Sequence, residues 1–376
     1  MKIAFVSTYP PFMCGIADYA QHLAREVHAQ SDDDLVVLSE GGDSTKDDFA
    51  VHDTYRRSTN FAADIIARIE AEKPQLVHFQ HAPDLFPDKK AFIRLVKQIS
   101  EMRISTFITL HTVYETKSFL RFMGELGRYT KFIVHNRPCQ QVLARVMPLE
   151  NVTIIPHGTP NLLLPPQEEA RRLLGMNQDD FIFLFFGALH AQKNLHTAVR
   201  AFNKLDAGKL HAKMLIAGAP RAGLFYNRIY ARVCRMLAFG EDAFYWRNHH
   251  IAEEDIPTYL SAADVVLLPY WQKYHSSSGV IHLTMAAGKP VLCSDSPKFS
   301  EVQSAMDDTA PIFLPTHDSR QWTEAMARMV EDRRLREQVR QFMTSYGEET
   351  SWKNVAMQHL AAYRQAVAEI NLKKAV

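Results

Sequence analysis

The residues best placed to do chemistry in this chain are three serines, a lysine and a set of strand-end histidines. Ser276, Ser277 and Ser278, with Gly279, lie between the apolar run 265–268, ended by Pro269, and an apolar helix expected over 280–287 and closed by Gly288. Backbone N–H groups, hydroxyls and the positive end of a helix dipole in one short loop make an anion site. An ordinary helix cap is the competing reading of the same residues. Lys193 follows the apolar run 181–186 and Gly187, at the start of a helix with Leu195, Ala198, Val199, Phe202 and Leu205 on one face. A lysine there opposes the helix dipole but suits a bound diphosphate; the alternative is a solvated surface side chain. Both turns would lie at one edge of a parallel sheet, so each supports the other.

Gly15 is a third candidate for phosphate approach. The apolar run 3–7 stops before Pro10 and Pro11, and from Gly15 onward Ile16, Tyr19, Ala20, Leu23, Ala24 and Val27 recur at helical spacing. A strand therefore hands over to a helix at Gly15, where a ligand phosphate can reach the backbone. The stretch Ser-Thr-Tyr-Pro-Pro stands where G-x-G-x-x-G would begin, which argues against a nicotinamide dehydrogenase. Further strands are expected at 36–38, 76–79, 106–110, 132–135 and 152–155. At or just past the carboxyl ends of the last four stand Gln80 and His81, His111 and Thr112, His135 and Asn136, then Pro156, His157 and Gly158. A strand-end histidine is commonly structural. His111, in Thr-Leu-His-Thr, is the one expected to act.

The elements that position these groups alternate strand and helix, the pattern of a parallel sheet covered on both faces, whose ligands bind beyond the carboxyl ends of the strands. Prolines 156, 160, 165 and 166 mark a linker, after which the pattern restarts with strands at 181–186, 214–217, 244–246, 265–268 and 291–293. After Glu301 the chain turns helical. Trp352, Val355, Ala356, His359, Leu360, Tyr363 and Val367 form one stripe that must pack on a domain.

With 376 residues the chain suits two domains. Lys+Arg 43 against Asp+Glu 42 leaves no overall charge to favour nucleic acid, so any anion must be held by a local site. Cys14, Cys139, Cys234 and Cys293 are scattered without a CxxC, which suggests reduced thiols and the cytoplasm. No HExxH or paired Cys/His spacing predicts a metal, and Asp32, Asp33 and Asp34 read as a solvated turn. Arg221, Arg228, Arg232 and Arg235 read as a solvated basic face. Lys117, Arg121, Arg128 and Lys131 among Phe119, Leu120, Phe122, Met123 and Leu126 read first as a core-facing helix with a basic outer side. The second reading is an amphipathic helix facing lipid, which would put the chain at the inner face of the cell membrane.

Several stretches together resemble the retaining glycosyltransferases of the GT-B type, family 4. They are Pro-Pro-Phe-Met-Cys-Gly-Ile-Ala-Asp-Tyr at 10–19, Thr-Leu-His-Thr at 109–112, Ile-Ile-Pro-His-Gly at 154–158 and Phe-Gly with Lys-Asn at 186–187 and 193–194. They continue with Ala-Ala-Asp-Val-Val-Leu-Leu-Pro-Tyr at 262–270, Met-Ala-Ala-Gly-Lys-Pro-Val at 285–291 and Ser-Trp at 351–352. The resemblance implies an α/β protein of two Rossmann-like domains facing across a cleft. An acceptor-binding domain would span 1–165, a nucleotide-sugar-binding domain 166–345, and a helix in 346–376 would return to the first. It implies transfer of a hexosyl group from a UDP- or GDP-linked sugar to a saccharide or glycolipid, in cell-envelope polysaccharide biosynthesis, without a cofactor. Carried over by position, Gly15, Gly187, Lys193, Ser277, Ser278, Gly279 and Val280 would hold the donor diphosphate, and His111 would act beside the transferred sugar. His249, His250 and Ile251 would border the base, while His81, Thr112, His157 and His275 would surround sugar and acceptor.

The family pattern Glu-x7-Glu falls here on His275 and Leu283, and the arginine that follows the strand glycine is Ala188. The resemblance is therefore closer to a branch with Ser-Ser-Gly in the loop and no glutamate pair. Two other readings stay open on the sequence: a GT-B-type epimerase or phosphorylase, and a non-catalytic protein that keeps the fold and binds a nucleotide or polysaccharide.

Overall fold

The computed structural model describes residues 1–41, 47–58, 60–220, 225–238, 240–306 and 312–375. They divide into two compact units: Met1–Gly158 with Tyr274–Ser277 and the chain from Thr350 onward, and Thr159–Lys273 with Ser278–Glu349.

Among the described residues the first unit holds a seven-stranded parallel sheet ordered β3-β2-β1-β4-β5-β6-β7. The strands are β1 Lys2–Thr8, β2 Asp34–Glu40, β3 Ala50–Asp53, β4 Leu76–His81, β5 Ser105–Leu110, β6 Lys131–Val134 and β7 Val152–Ile154. The central strands β1, β4 and β5 are buried on both faces, which is why their sequences read as continuous apolar runs rather than alternating ones. Edge strand β3 buries only Val51, leaving no periodic signal, and the sequence did not reveal it. The strand order reverses between β1 and β4, where an open α/β sheet leaves a crevice for ligands.

The helix Trp352–Ala375 belongs to this unit. Trp352, Val355, Ala356, Leu360 and Tyr363 share a core cluster with Tyr19, Leu23 and Val27 of the helix Gly15–Ala29. Gly158 must be glycine because of that return: a Cβ there would lie 2.1 Å from the Trp352 ring. The loop Tyr274–Ser277 also goes with the first unit rather than with the stretch 166–345 that surrounds it in sequence. Its His275 exchanges backbone hydrogen bonds of 2.8 and 3.0 Å with Val113, an antiparallel bridge that sequence spacing could not foretell.

The second unit holds a six-stranded parallel sheet ordered β10-β9-β8-β11-β12-β13, comprising β8 Phe181–Phe186, β9 Ala212–Ala217, β10 Phe244–Arg247, β11 Val265–Leu268, β12 Val291–Ser294 and β13 Phe313–Leu314. Here the order reverses between β8 and β11. Asp264 joins these two strands at their starts, accepting the N–H of Ile182 at 2.7 Å while ion-paired to the buried Arg171 at 2.7 Å.

The helix Lys117–Leu126 buries Phe119, Phe122, Met123 and Leu126, so its apolar face is the core-facing one and is not available to lipid. No helix among the described residues is long and apolar enough to cross a membrane. Asp33 is not simply solvated: its carboxylate accepts the Met1 ammonium at 2.6 Å.

Candidate functional site

In the second unit, β8 ends in Gly187 at φ +112° and β9 in Gly218 at φ +147°, both in the region that side chains rarely adopt. A Cβ on Gly218 would lie 2.0 Å from the Gly187 carbonyl oxygen, so two bare strand ends touch here. From Gly187 the chain enters a 3-10 turn, Ala191–Lys193, and only after Asn194, at φ 55°, does the helix Leu195–Phe202 begin. Lys193 thus precedes the helix instead of opening it, a correction to the expected placement. Asn194 is the residue that forces the break, donating to the Thr316 carbonyl at 2.7 Å and accepting from the Thr197 hydroxyl at 2.9 Å.

The break aims Lys193 at an aromatic wall. Its ammonium sits 3.7 Å from the centroid of the Tyr270 ring, a cation–π contact. The backbone N–H of Trp271 donates to Gln192 at 2.7 Å and fastens the two loops together. Burial, and then the nearby charge of Lys298, push the Lys193 ammonium well below the usual lysine range. Burial brings Lys298 down to about 8. No carboxylate pairs with Lys193 among the described residues. Ser278 stands next to the wholly buried Tyr270 and is itself only 2% exposed. It occupies the N-cap position of the helix Gly279–Ala286 but makes no capping bond, so the ordinary-cap reading does not describe it. Gly279 and Val280 supply the leading N–H groups, which a helix leaves without intrahelical partners.

His249 lies within 3.3 Å of the Tyr259 hydroxyl and His250 is exposed. Ile251 is buried in the core of the second unit, so only its backbone can border a base.

In the first unit, Tyr19 gathers the strand-end histidines. Its ring meets His111 at 4.6 Å, His157 at 5.2 Å, His135 at 5.5 Å and Trp352 at 4.8 Å. The His111 Nε2–H donates to the side-chain amide oxygen of Gln80 at 2.9 Å. Gln80 also approaches His78, a wholly buried imidazole bonded to Thr109 at 2.8 Å and to the Tyr363 hydroxyl of the returning helix. Burial holds His78 well below the usual histidine range and therefore neutral. The His157 Nδ1–H donates to Gly158 and the His135 Nδ1–H to Ile155. His275 bonds Glu115 at 3.0 Å, and Arg145 bonds the same carboxylate at 2.7 Å. These two partners, His275 first, hold Glu115 below the usual carboxylate range. Gly15 and Ser277 belong to this unit, whereas Gly187, Lys193, Ser278, Gly279 and Val280 belong to the second. A Cβ on Gly15 would meet nothing within 4 Å. Thr112 follows His111 and is half-buried.

His81 does not join this group. It is 1% exposed, its ring stacked on Phe86 and tilted against Phe92 and Phe122, and burial pushes it down to about 4. Strand alternation is the reason, since Gln80 and His81 must face opposite sides of the sheet and only one can meet His111. Sequence reasoning named Gln80 at its strand end and Tyr19 on its helix face without giving either a site role. It gave no sign of Tyr270 as a wall, of Glu115, or of Lys298 beside Lys193.

Known proteins match this chain in sequence and in fold. The model for "Glycosyltransferase Family 4" matches residues 13–160 and that for "Glycosyl transferases group 1" matches 180–332. A D-inositol 3-phosphate glycosyltransferase of Nocardioides is 26% identical over 231 residues, 58% of this chain and 49% of that protein. One from Paenarthrobacter aurescens is 24% identical over 229 residues, 58% of this chain and 53% of that protein. The chain spans about half the length of the curated relatives it matches. Among solved structures, sucrose-phosphate synthase from Thermosynechococcus elongatus superposes with a TM-score of 0.79 at 18% identity, covering 98% of this chain and 100% of that one. HepE of Anabaena, solved in complex with UDP, gives 0.76 at 14% identity over 97% and 100%. The chain belongs to the group 1, family 4 glycosyltransferases and has their GT-B fold of two Rossmann-like domains.

Proposed function

We propose that the protein moves a hexosyl group, with retention, from a UDP- or GDP-linked sugar to a saccharide or glycolipid acceptor in cell-envelope polysaccharide biosynthesis. The observation that carries this reading is the desolvated ammonium of Lys193, set on the Tyr270 ring, which Ser278 at the start of a helix also adjoins. A cation held at such cost is compensated by a multiply charged anion, and a nucleoside diphosphate supplies one. That HepE was solved with UDP makes uridine the first base to try.

In the reaction, the bond between the sugar C1 and the diphosphate oxygen breaks as the acceptor oxygen bonds to C1 on the same face. The acceptor's proton passes to the departing phosphate oxygen, so no enzymic nucleophile is needed. Lys193, the N–H groups of Gly279 and Val280 and the helix dipole gain strength as the leaving group gathers charge. His111 is assigned to act beside the transferred sugar. The cationic side chain takes the part that a divalent ion plays in other transferases, so full turnover in a chelator is expected. A strict Mn²⁺ requirement would sink that part.

The test is the thermal stability of wild type and Lys193→Ala with UDP, GDP, ADP and TDP and their common sugars. A nucleotide at a hundred times its dissociation constant adds about 2.7 kcal/mol. One base should stabilise the wild type and lose most of that gain in the variant. No shift with any of them would move the non-catalytic reading to first place.

A further inference from the structure

The helix Phe225–Leu237 packs on the second unit through Asn227, Ala231 and Cys234. Its outer side carries Phe225 at 76% exposure, Tyr226 at 58%, Ile229 at 46%, Val233 at 44% and Met236 at 80%. At about 100° per residue, Phe225, Ile229, Val233 and Met236 fall on one continuous stripe with Tyr226 at its edge, and Arg228, Arg232 and Arg235 fall on a second stripe beside it. All three arginines are exposed, and no acidic residue stands on the helix. The sequence reading of these arginines as a solvated face accounts for the charges alone, because it leaves five large apolar side chains in water next to them. Arg221 lies outside the described residues.

We propose that this helix seats the protein on an anionic lipid surface. A helix lying in the membrane plane puts an apolar stripe among the acyl chains while a flanking basic stripe stays level with the phosphates, which guanidinium groups bind in bidentate fashion. The aromatic side chains at the helix start suit the headgroup boundary. A second copy of the chain fits worse, since apposing two such helices brings arginine stripes of like sign together on helices that carry no acidic residue. The helix Lys117–Leu126 has its apolar face covered by the core, so the lipid-facing surface that the sequence suggested there is built instead on Phe225–Leu237.

Flotation of the intact protein with vesicles of phosphatidylcholine alone, and of phosphatidylcholine mixed with phosphatidylglycerol, tests this at low and high salt. Binding is expected to the anionic vesicles at low salt only. The combined Arg228→Gln, Arg232→Gln and Arg235→Gln variant should bind roughly a hundredfold more weakly. Phe225→Ser with Ile229→Ser and Val233→Ser should also lose binding, while both variants keep a cooperative thermal transition, the glutamine variant losing only the Arg235–Trp246 contact. Equal binding to both vesicle types, or none to either, overturns the proposal. A dimer in sedimentation that disappears in the serine variant overturns it too, by assigning the stripe to self-association.

Discussion

The ligand-facing parts of the two units are built on opposite electrostatic plans. In the first, Tyr19, His111, His135, His157 and Trp352 pack edge to face, and the imidazole N–H groups are spent on Gln80, Ile155 and Gly158. In the second, Lys193 is buried against the Tyr270 ring with the charge of Lys298 nearby, and burial lowers both ammonium groups. A surface of internally bonded imidazole and aromatic rings can sort hydroxyls by position but offers little to a phosphate. A pair of desolvated ammonium groups does the reverse. The burial of Lys193 is a cost that a bound anion would offset.

The contrast breaks most visibly at Lys193. Lys193→Ala should cost about a hundred- to a thousandfold in turnover, the loss seen when one stabilising donor to a developing negative charge is removed. Steady-state rates check this, and wild-type rates would take the lysine out of the reaction. Next comes the backbone beneath it: Gly218→Ala forces a Cβ against the Gly187 carbonyl at a φ that side chains avoid, and should lower stability by about 3 kcal/mol in a denaturant titration.

Proton linkage sharpens the comparison. Burial lowers Lys298 to about 8 and Lys193 well below the usual range, so a bound diphosphate should raise both. Binding should take up protons above about pH 8 and weaken as pH rises further, which calorimetry in buffers of different ionisation heat measures. Without ligand the sign for stability is opposite. Over the window from about 8 to the ordinary lysine value of 10.5, the unfolded chain binds more protons than the folded one, so stability rises with pH there. In the first unit the corresponding probe is Gln80→Glu. A carboxylate against Nε2–H should raise the His111 imidazole by about one pH unit or more, visible in its NMR titration. The smallest effect belongs to Gly15→Ala, whose added methyl meets nothing and should change stability by less than about 0.5 kcal/mol. Any loss of turnover in that variant then reports on ligand approach.

Much of this was legible in sequence because burial leaves a pattern. The runs that became β1, β4, β5 and β8 announced parallel strands, and the spacing from Trp352 to Tyr363 announced the returning helix. The serine loop, Lys193 and His111 stood out as candidates because their types are chemically distinctive next to glycine and strand ends. What stayed hidden depends on direction and distance. That Gln80 rather than His81 faces His111, that Tyr270 walls Lys193, and that Glu115 meets His275 are consequences of pleat and loop packing, which residue type does not encode. The exposed stripe on Phe225–Leu237 was missed for a related reason: periodicity shows that a helix has an apolar side, not whether the protein covers it.

The return of the Trp352 helix to the first unit has a consequence for synthesis. Tyr19, Leu23 and Val27 are covered by Trp352, Val355 and Leu360, yet Trp352 leaves the ribosome 194 residues after Gly158. At translation rates of 5–20 residues per second, that face waits about 10 to 40 s for its partner. Throughout that interval the nascent first unit offers an apolar surface to whatever chaperone stands at the exit.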